Sequence, residues 1–369
     1  MSLNRSTATL AMALAAATVC LAAQGTPSKA PELSDREFWN LVEQLSERDG
    51  YFEDENYVSN ELGYQSAMGR LQSAIAPGGV YVGVGPEQNF AYVAALRPRI
   101  AFVVDIRRQN TMQHLMYKAL FELSADRADF LSRLFSRPRP EGLDAASSVD
   151  ALFQAYSKTA PDERLFDETL AGILDVLTSR HGYGLTEGDR ASIRKVFTAF
   201  RDLGPEVRYV FRGTSELHPT YAQMMTAKDG EGRGWSYLAS AETFEQIRVM
   251  ERRNQIVPVV GDFAGPKALR SIGDYVRSRG AAIDVFYLSN VEPYLFTAGT
   301  WRTFYDNVAT MPLAASGLFV RAFFGSTVKE CAALRPTIRT PVIGAMAPLM
   351  DAYRRGEVKS QCDLVTASR

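Results

Sequence analysis

The residues best placed to do chemistry are two glycines and an aspartate. Gly83-Val84-Gly85 follows one apolar run, and Asp105 closes the next, 20 residues after Gly85. Glycine at such a turn lets backbone approach a ligand and lets the following helix N-terminus face it. An aspartate in that place can accept two hydrogen bonds from a ribose diol. The pair outlines a site for a small nucleoside-type ligand, and a scaffold with an empty crevice is the plainer alternative. Glu87, Gln88 and Asn89 open the helix after the turn, where they either reach the same ligand or cap the helix. Arg107, beside Arg108 and just past Asp105, either holds an anionic group, pairs with Asp105 or belongs to an exposed pair.

Two later clusters add candidates. Asp262 follows Gly261 at the end of another apolar run, where its carboxylate could meet an adenine amino group or serve as a helix cap. The segment SNVEPYL, Ser289 to Leu295, follows the next run. Ser289 and Asn290 would contact a ligand there, and Asn290, Glu292 and Tyr294 are the candidates for catalysis. Glu292 would act as a base if burial raised its pKa. A polar loop with a proline turn is the alternative. His114 lies among apolar residues and reads as a core or surface histidine. The stretch from Gly50 to Glu61 reads as a lid or a solvated connection. No nucleophile elbow, Walker loop, HExxH or triad spacing appears. Three histidines and three cysteines without a CxxC give no metal site.

These residues need elements to hold them. Ser34 opens a helix with a Ser-x-x-Glu capping box, and 59–75 reads as a second helix. Val80 to Val84 is a strand, Asn89 to Leu96 a helix, and Ile100 to Val104 a second strand: a βαβ unit, which requires a parallel sheet. From Thr111 to about Asn254 the pattern is mainly helical, with helices expected in 115–135, 147–158, 165–179, 187–202 and 241–253. Strands resume at Ile256 to Val260, Ile283 to Leu288 and Leu318 to Phe324. Helices are expected at 266–279 and 301–308. The reading is an α/β, Rossmann-like fold: a mostly parallel sheet of five or more strands with a helical insertion of about 145 residues after the second. Its parts are a signal peptide (1–23), a linker (24–33), a first half (34–110), the insertion (111–255), a second half (256–345) and a C-terminal tail (346–369).

The 369 residues carry 41 Lys and Arg against 42 Asp and Glu, so no basic face for nucleic acid or anionic lipid is expected. The first 23 residues hold one charge, Arg5, then an apolar run ending Leu21-Ala22-Ala23, the pattern of a cleaved export signal. The run is short for a membrane span, so no integral span is expected after cleavage. Val19 before Cys20 argues against a lipid anchor. The expected location is periplasmic or extracellular, where Cys331 and Cys362 either form one bridge or remain two thiols.

GGVYVGVGPEQNFAYVAALRPRIAFVVDIRRQN, with IVPVVGDFAGPKAL and FYLSNVEPYLF, resembles an uncharacterised bacterial family with an S-adenosylmethionine-methyltransferase-like fold. Some members of that family are described as lipoproteins or signal-peptide proteins. The resemblance covers roughly residues 35–325. It implies a fold of the class I methyltransferase type, with S-adenosylmethionine as the cofactor. Gly83 and Gly85 then fall on the first two glycines of the glycine-rich motif and Asp105 on the acidic residue ending strand two. Asp262 matches the acidic residue after strand three, and SNVEPY an Asn-Pro-Pro-Tyr-type motif. Tyr81 stands where an acidic residue is usual, and Glu87 where a third glycine is. Two functions follow as expectations: a methyltransferase, or an exported binding or interaction protein that reuses the fold without that chemistry.

Overall fold

The structure is a computed structural model that describes residues 32–211, 213, 217–323, 331 and 341–367. The expected signal peptide, most of the linker and Phe324 lie outside the described residues. Six strands form one sheet: β1 (Val80–Val84), β2 (Ile100–Asp105), β3 (Ile256–Val260), β4 (Ile283–Ser289), β5 (Leu313–Arg321) and β6 (Val342–Ala345). Their spatial order is β3-β2-β1-β4-β5-β6. All pairings are parallel except β5 with β6. β1, β2 and β3 read VYVGV, IAFVVD and IVPVV because a parallel sheet is covered on both faces.

The helices are α1 (Asp35–Leu45), α2 (Gln65–Ala74), α3 (Gln88–Leu96), α4 (Arg108–Leu123), α5 (Arg127–Phe135), α6 (Val149–Ser157), α7 (Glu163–Asp175), α8 (Glu187–Leu203), α9 (Tyr221–Thr226), α10 (Ala241–Arg252), α11 (Ala268–Ser278), α12 (Val291–Ala298), α13 (Trp301–Ala309), α14 (Met346–Arg354) and α15 (Gln361–Ala367). Helices α4 to α10 lie between β2 and β3 and make the helical insertion. Every residue of α3 is buried. A helix apolar all round must be covered all round: Phe90 meets His114, Tyr117 and Phe121 of α4, and Tyr237 beyond α9, with ring centroids 5.3–5.5 Å apart.

Several boundaries differ from the sequence reading. The capping box at Ser34 forms as expected. The helix expected over 59–75 begins only at Gln65, after a single turn at Leu62–Tyr64, so Ser59 and Glu61 lie outside it and are buried. The stretch 115–135 is two helices, divided where Asp126 caps α5. The tail carries α14 and α15. SNVEPYL is not a loop: Ser289 ends β4, Asn290 precedes α12, and Val291 to Leu295 form its start, with Pro293 in the first turn, where a missing N–H costs nothing.

β3 is an edge strand. Its outer side is tied at one end, where Val260 donates to Ser46 Oγ (3.0 Å) and accepts from the Glu47 amide (2.8 Å). Pro258 lies two residues earlier on that side.

Candidate functional site

Strand order reverses between β1 and β4, and ligands of open α/β sheets bind outside the carboxyl ends of strands at such a reversal. Here that place is crossed by the chain from Ser46 to Glu61, a strap that joins α1 to α2. Gly50 donates to the Ile106 carbonyl (2.9 Å), Asn56 Nδ2 donates to Asp105 Oδ2 (3.4 Å), and Gln113 donates to the Tyr57 carbonyl (2.6 Å). The stretch anticipated as a lid or a solvated connection is thus a closed cover.

The two glycines of the turn differ. A Cβ on Gly83 would collide with Asn89 Oδ1 and the Tyr81 hydroxyl, so this glycine makes room for its own neighbours. Gly85 is buried and sits at φ +79°, yet a Cβ there would meet no atom within 4 Å. The turn therefore leaves open space beside Gly85. Asn89 does not cap α3. Its amide donates to the carbonyls of Val84 (2.9 Å), Gly85 (3.2 Å) and Pro86 (2.7 Å), and its oxygen accepts from Tyr81 (2.8 Å), a clasp that fixes the turn.

Asp105 is on the strand next to Gly85 and is buried. Oδ1 accepts from the Arg107 amide (2.9 Å) and Oδ2 from Asn56. Burial raises its pKa, against the pull of Arg107. Two of its roughly four lone-pair sites are in use. Arg107 reaches the Asp54 carbonyl through Nη1 (2.8 Å) and lies 3.8 Å from Glu55. It is therefore a buried tie to the strap rather than part of an exposed pair, while Arg108 bonds Asp189 at 2.6 and 3.0 Å.

Glu87 and Gln88 also turn inward. Gln88 donates to Tyr287 (3.0 Å) and accepts from Ser59 (2.6 Å). Glu87 accepts from the Ser59 amide at 3.4 Å, and burial pushes its pKa up to about 8. His114 donates through Nε2 to the Gly85 carbonyl (2.9 Å), and burial lowers its pKa to about 4, so the ring is neutral. The Gly85 carbonyl can only accept, so Nε2 carries the hydrogen.

At the end of β4, Glu61 is the residue that sequence reasoning missed. It accepts from Tyr287 (2.8 Å) and Ser289, with Gln88 at 3.4 Å, and burial raises its pKa. Its only signal in the sequence is a position at the end of an acidic loop. Ser289 has φ +49°, a strained value for a residue with a side chain, and its hydroxyl is also 3.2 Å from Asn290. Glu292 is committed elsewhere: Arg321 Nε lies 2.8 and 3.1 Å from its two oxygens, and Tyr305 donates to it as well, all in the interior. Tyr294 is partly exposed and meets Phe52 of the strap edge-on at 5.5 Å.

Asp262 follows Gly261, whose amide donates to the Asp105 carbonyl (2.8 Å), but its own side chain is used locally. It accepts from the Ala264 amide (2.8 Å), while Glu47 caps α11 by accepting from Lys267 (2.8 Å) and Ala268 (2.7 Å). The site therefore gathers Gly85, Glu87, Gln88, Asn89, Asp105, Arg107, Ser289 and Asn290 near the sheet reversal and leaves Asp262 at the β3 end. Two open surface hollows lie elsewhere, one beside Arg208 and His218, the other beside Arg70 and Arg233. Among the described residues no group of three or more His, Cys, Asp or Glu could hold a metal, and no helix is long and apolar enough to cross a membrane.

Fold and site together define an α/β protein with a mostly parallel six-stranded sheet and a strapped, polar strand reversal. The chain belongs to the family described as "Domain of unknown function (DUF7790)", whose model matches residues 57–336. No curated protein matches it.

Proposed function

We propose that this is an exported protein that binds a small nucleoside-type ligand at the carboxyl ends of β1 and β2, under the strap. The observation that carries this reading is the gap at Gly85: a buried glycine in a left-handed turn with no atom within 4 Å of its missing side chain, one strand from Asp105. A ribose diol would take the Asp105 lone pairs left over, or displace Asn56 as the strap moves. The disulfide between Cys331 and Cys362 supports export, because such bonds persist in oxidising compartments.

A methyltransferase is the second reading. The strand order, with reversal at β1 and β4 and a single antiparallel edge strand, favours the class I methyltransferase type of sheet. Two features of the turn count against S-adenosylmethionine itself. Gly85 leaves room and Asp105 is in place, but the Tyr81 hydroxyl is spent on Asn89 and the Glu87 side chain fills the position of a third glycine. No step through that cofactor is derived.

Calorimetry with adenosine, S-adenosylmethionine and S-adenosylhomocysteine tests both readings. Adenosine should bind the wild-type chain, and Asp105→Ala should weaken it roughly tenfold or more, the loss of one hydrogen bond to a charged group. Absence of heat for all three ligands, or equal affinity in a folded Asp105→Ala variant, refutes the site. Binding of the two sulfur compounds but not adenosine would favour the methyltransferase.

A further inference from the structure

Glu87 is a buried carboxyl with no cationic partner among the described residues. It is fully buried, its Oε2 has no hydrogen-bond partner, and no Lys or Arg pairs with it. Ionisable acids are almost never this buried without a partner. The groups around it share the deficit. The Tyr64 hydroxyl is buried without a partner, as is His114 Nδ1 on the ring bonded to the turn two residues earlier. Tyr117, Tyr221 and Tyr237 complete the wall. All three are fully buried, Tyr221 and Tyr237 bond each other, and the negative charge of Glu87 is felt at each of these hydroxyls and at Tyr64, in addition to the larger effect of burial.

These orphan atoms have one capacity in common. Ionised Glu87 Oε2, the Tyr64 oxygen and the bare Nδ1 of a neutral His114 can each accept a hydrogen bond. An anion would find a carboxylate and no cation. A neutral amide would leave the carboxylate without a counter-charge. An ammonium group carries both the charge and three N–H donors, and aromatic walls favour it further.

We infer that the unpaired buried polar atoms of Glu87, Tyr64 and His114, behind the Gly85 turn and beside the tyrosines of α4 and α9, form a binding site for the primary ammonium group of a small ligand. It adjoins the nucleoside reading through Glu87 and the Gly85 turn but does not rest on it, because Asp105 plays no part in holding the ammonium group.

The test is thermal unfolding with methylammonium chloride, against potassium chloride at equal concentration and acetamide as the uncharged probe. A ligand that binds only the folded state raises the midpoint with the logarithm of its concentration. Methylammonium should do so, and acetamide and potassium should not. The effect should grow as pH rises toward about 8, because the amine replaces the proton that otherwise neutralises Glu87. It should vanish in Glu87→Gln. Should that variant fail to fold, Tyr64→Phe decides. In a dry interior, deleting an orphan hydroxyl is neutral or stabilising, and an unchanged methylammonium response in that variant overturns the site. Equal responses to methylammonium and acetamide, or none to methylammonium, overturn it as well.

Discussion

Replacing Arg321 with methionine tests most sharply what the polar interior of this protein is for. Arg321 and Glu292 are 0% and 2% exposed at their side chains, with Nε 2.8 and 3.1 Å from the two carboxylate oxygens. Without the guanidinium, Glu292 keeps only the Tyr305 hydroxyl in a site that water does not reach. Breaking a buried pair from one side costs about 3–5 kcal/mol. That is a large part of the roughly 5–15 kcal/mol by which folded domains are stable. At roughly 2–4 °C per kcal/mol, the unfolding midpoint falls by on the order of 10 °C. The double variant Glu292→Met/Arg321→Met removes both charges and should recover most of the loss, less about 1–3 kcal/mol for the Tyr305 hydroxyl it strands. Adding Tyr305→Phe should return that remainder. Urea unfolding of the four proteins measures the series. A loss below about 1 kcal/mol in Arg321→Met would mean that solvent screens the pair. Glu292 would then be free to act as a base, and its assignment as a structural anion would be wrong.

Three other outcomes are expected. His181 lies 2.9 Å from both Asp35 and Glu122; burial alone would lower its pKa, but the two carboxylates outweigh it and hold the value above 6.5. Its contribution is therefore complete below pH 6.5 and lost as pH rises through the folded value, so the wild-type advantage over His181→Gln in urea should shrink with rising pH; a constant difference would contradict the pairing. Gly83→Ala pushes its new methyl into Asn89 and Tyr81 and should cost about 1–3 kcal/mol, whereas Gly85→Ala meets nothing and should cost about 1–2 kcal/mol for its left-handed backbone alone; circular dichroism melts that rank Gly85→Ala far below Gly83→Ala would disprove the gap. A peptide map without reductant should join Cys331 to Cys362, and reduction should cost about 3–4 kcal/mol for a bridge that spans 31 positions; free thiols at both positions would remove the support for export.

The first strands were legible because a parallel sheet leaves them little choice: β1 and β3 match their sequence boundaries residue for residue, and β2 gains only Asp105, whereas β5 starts five residues before the expected Leu318 and β6 was not anticipated. Most helices of the insertion were legible from their apolar period. α12 was not, because Pro293 and the polar residues of SNVEPYL carry a turn signal that tertiary packing overrides. Within the site, the Gly85–Asp105 pair follows from local spacing. The partners of that pair do not. Glu61 meets Tyr287 and Ser289 across more than 220 residues, and Arg321 meets Glu292 across 29, contacts that no periodicity encodes. Asn89 illustrates the same limit at short range. Its place at a helix start suggests a cap, but the open carbonyls of the turn offered three better partners.

Pro258 has a consequence for what this protein can join. In β3 the amides of alternate residues point away from β2. Of those on the outer side, Val260 gives its hydrogen to Ser46 and Pro258 has none to give. A foreign strand laid along this margin would find the hydrogens it needs withheld at two successive places. A sheet so finished resists stacking on a second copy of itself.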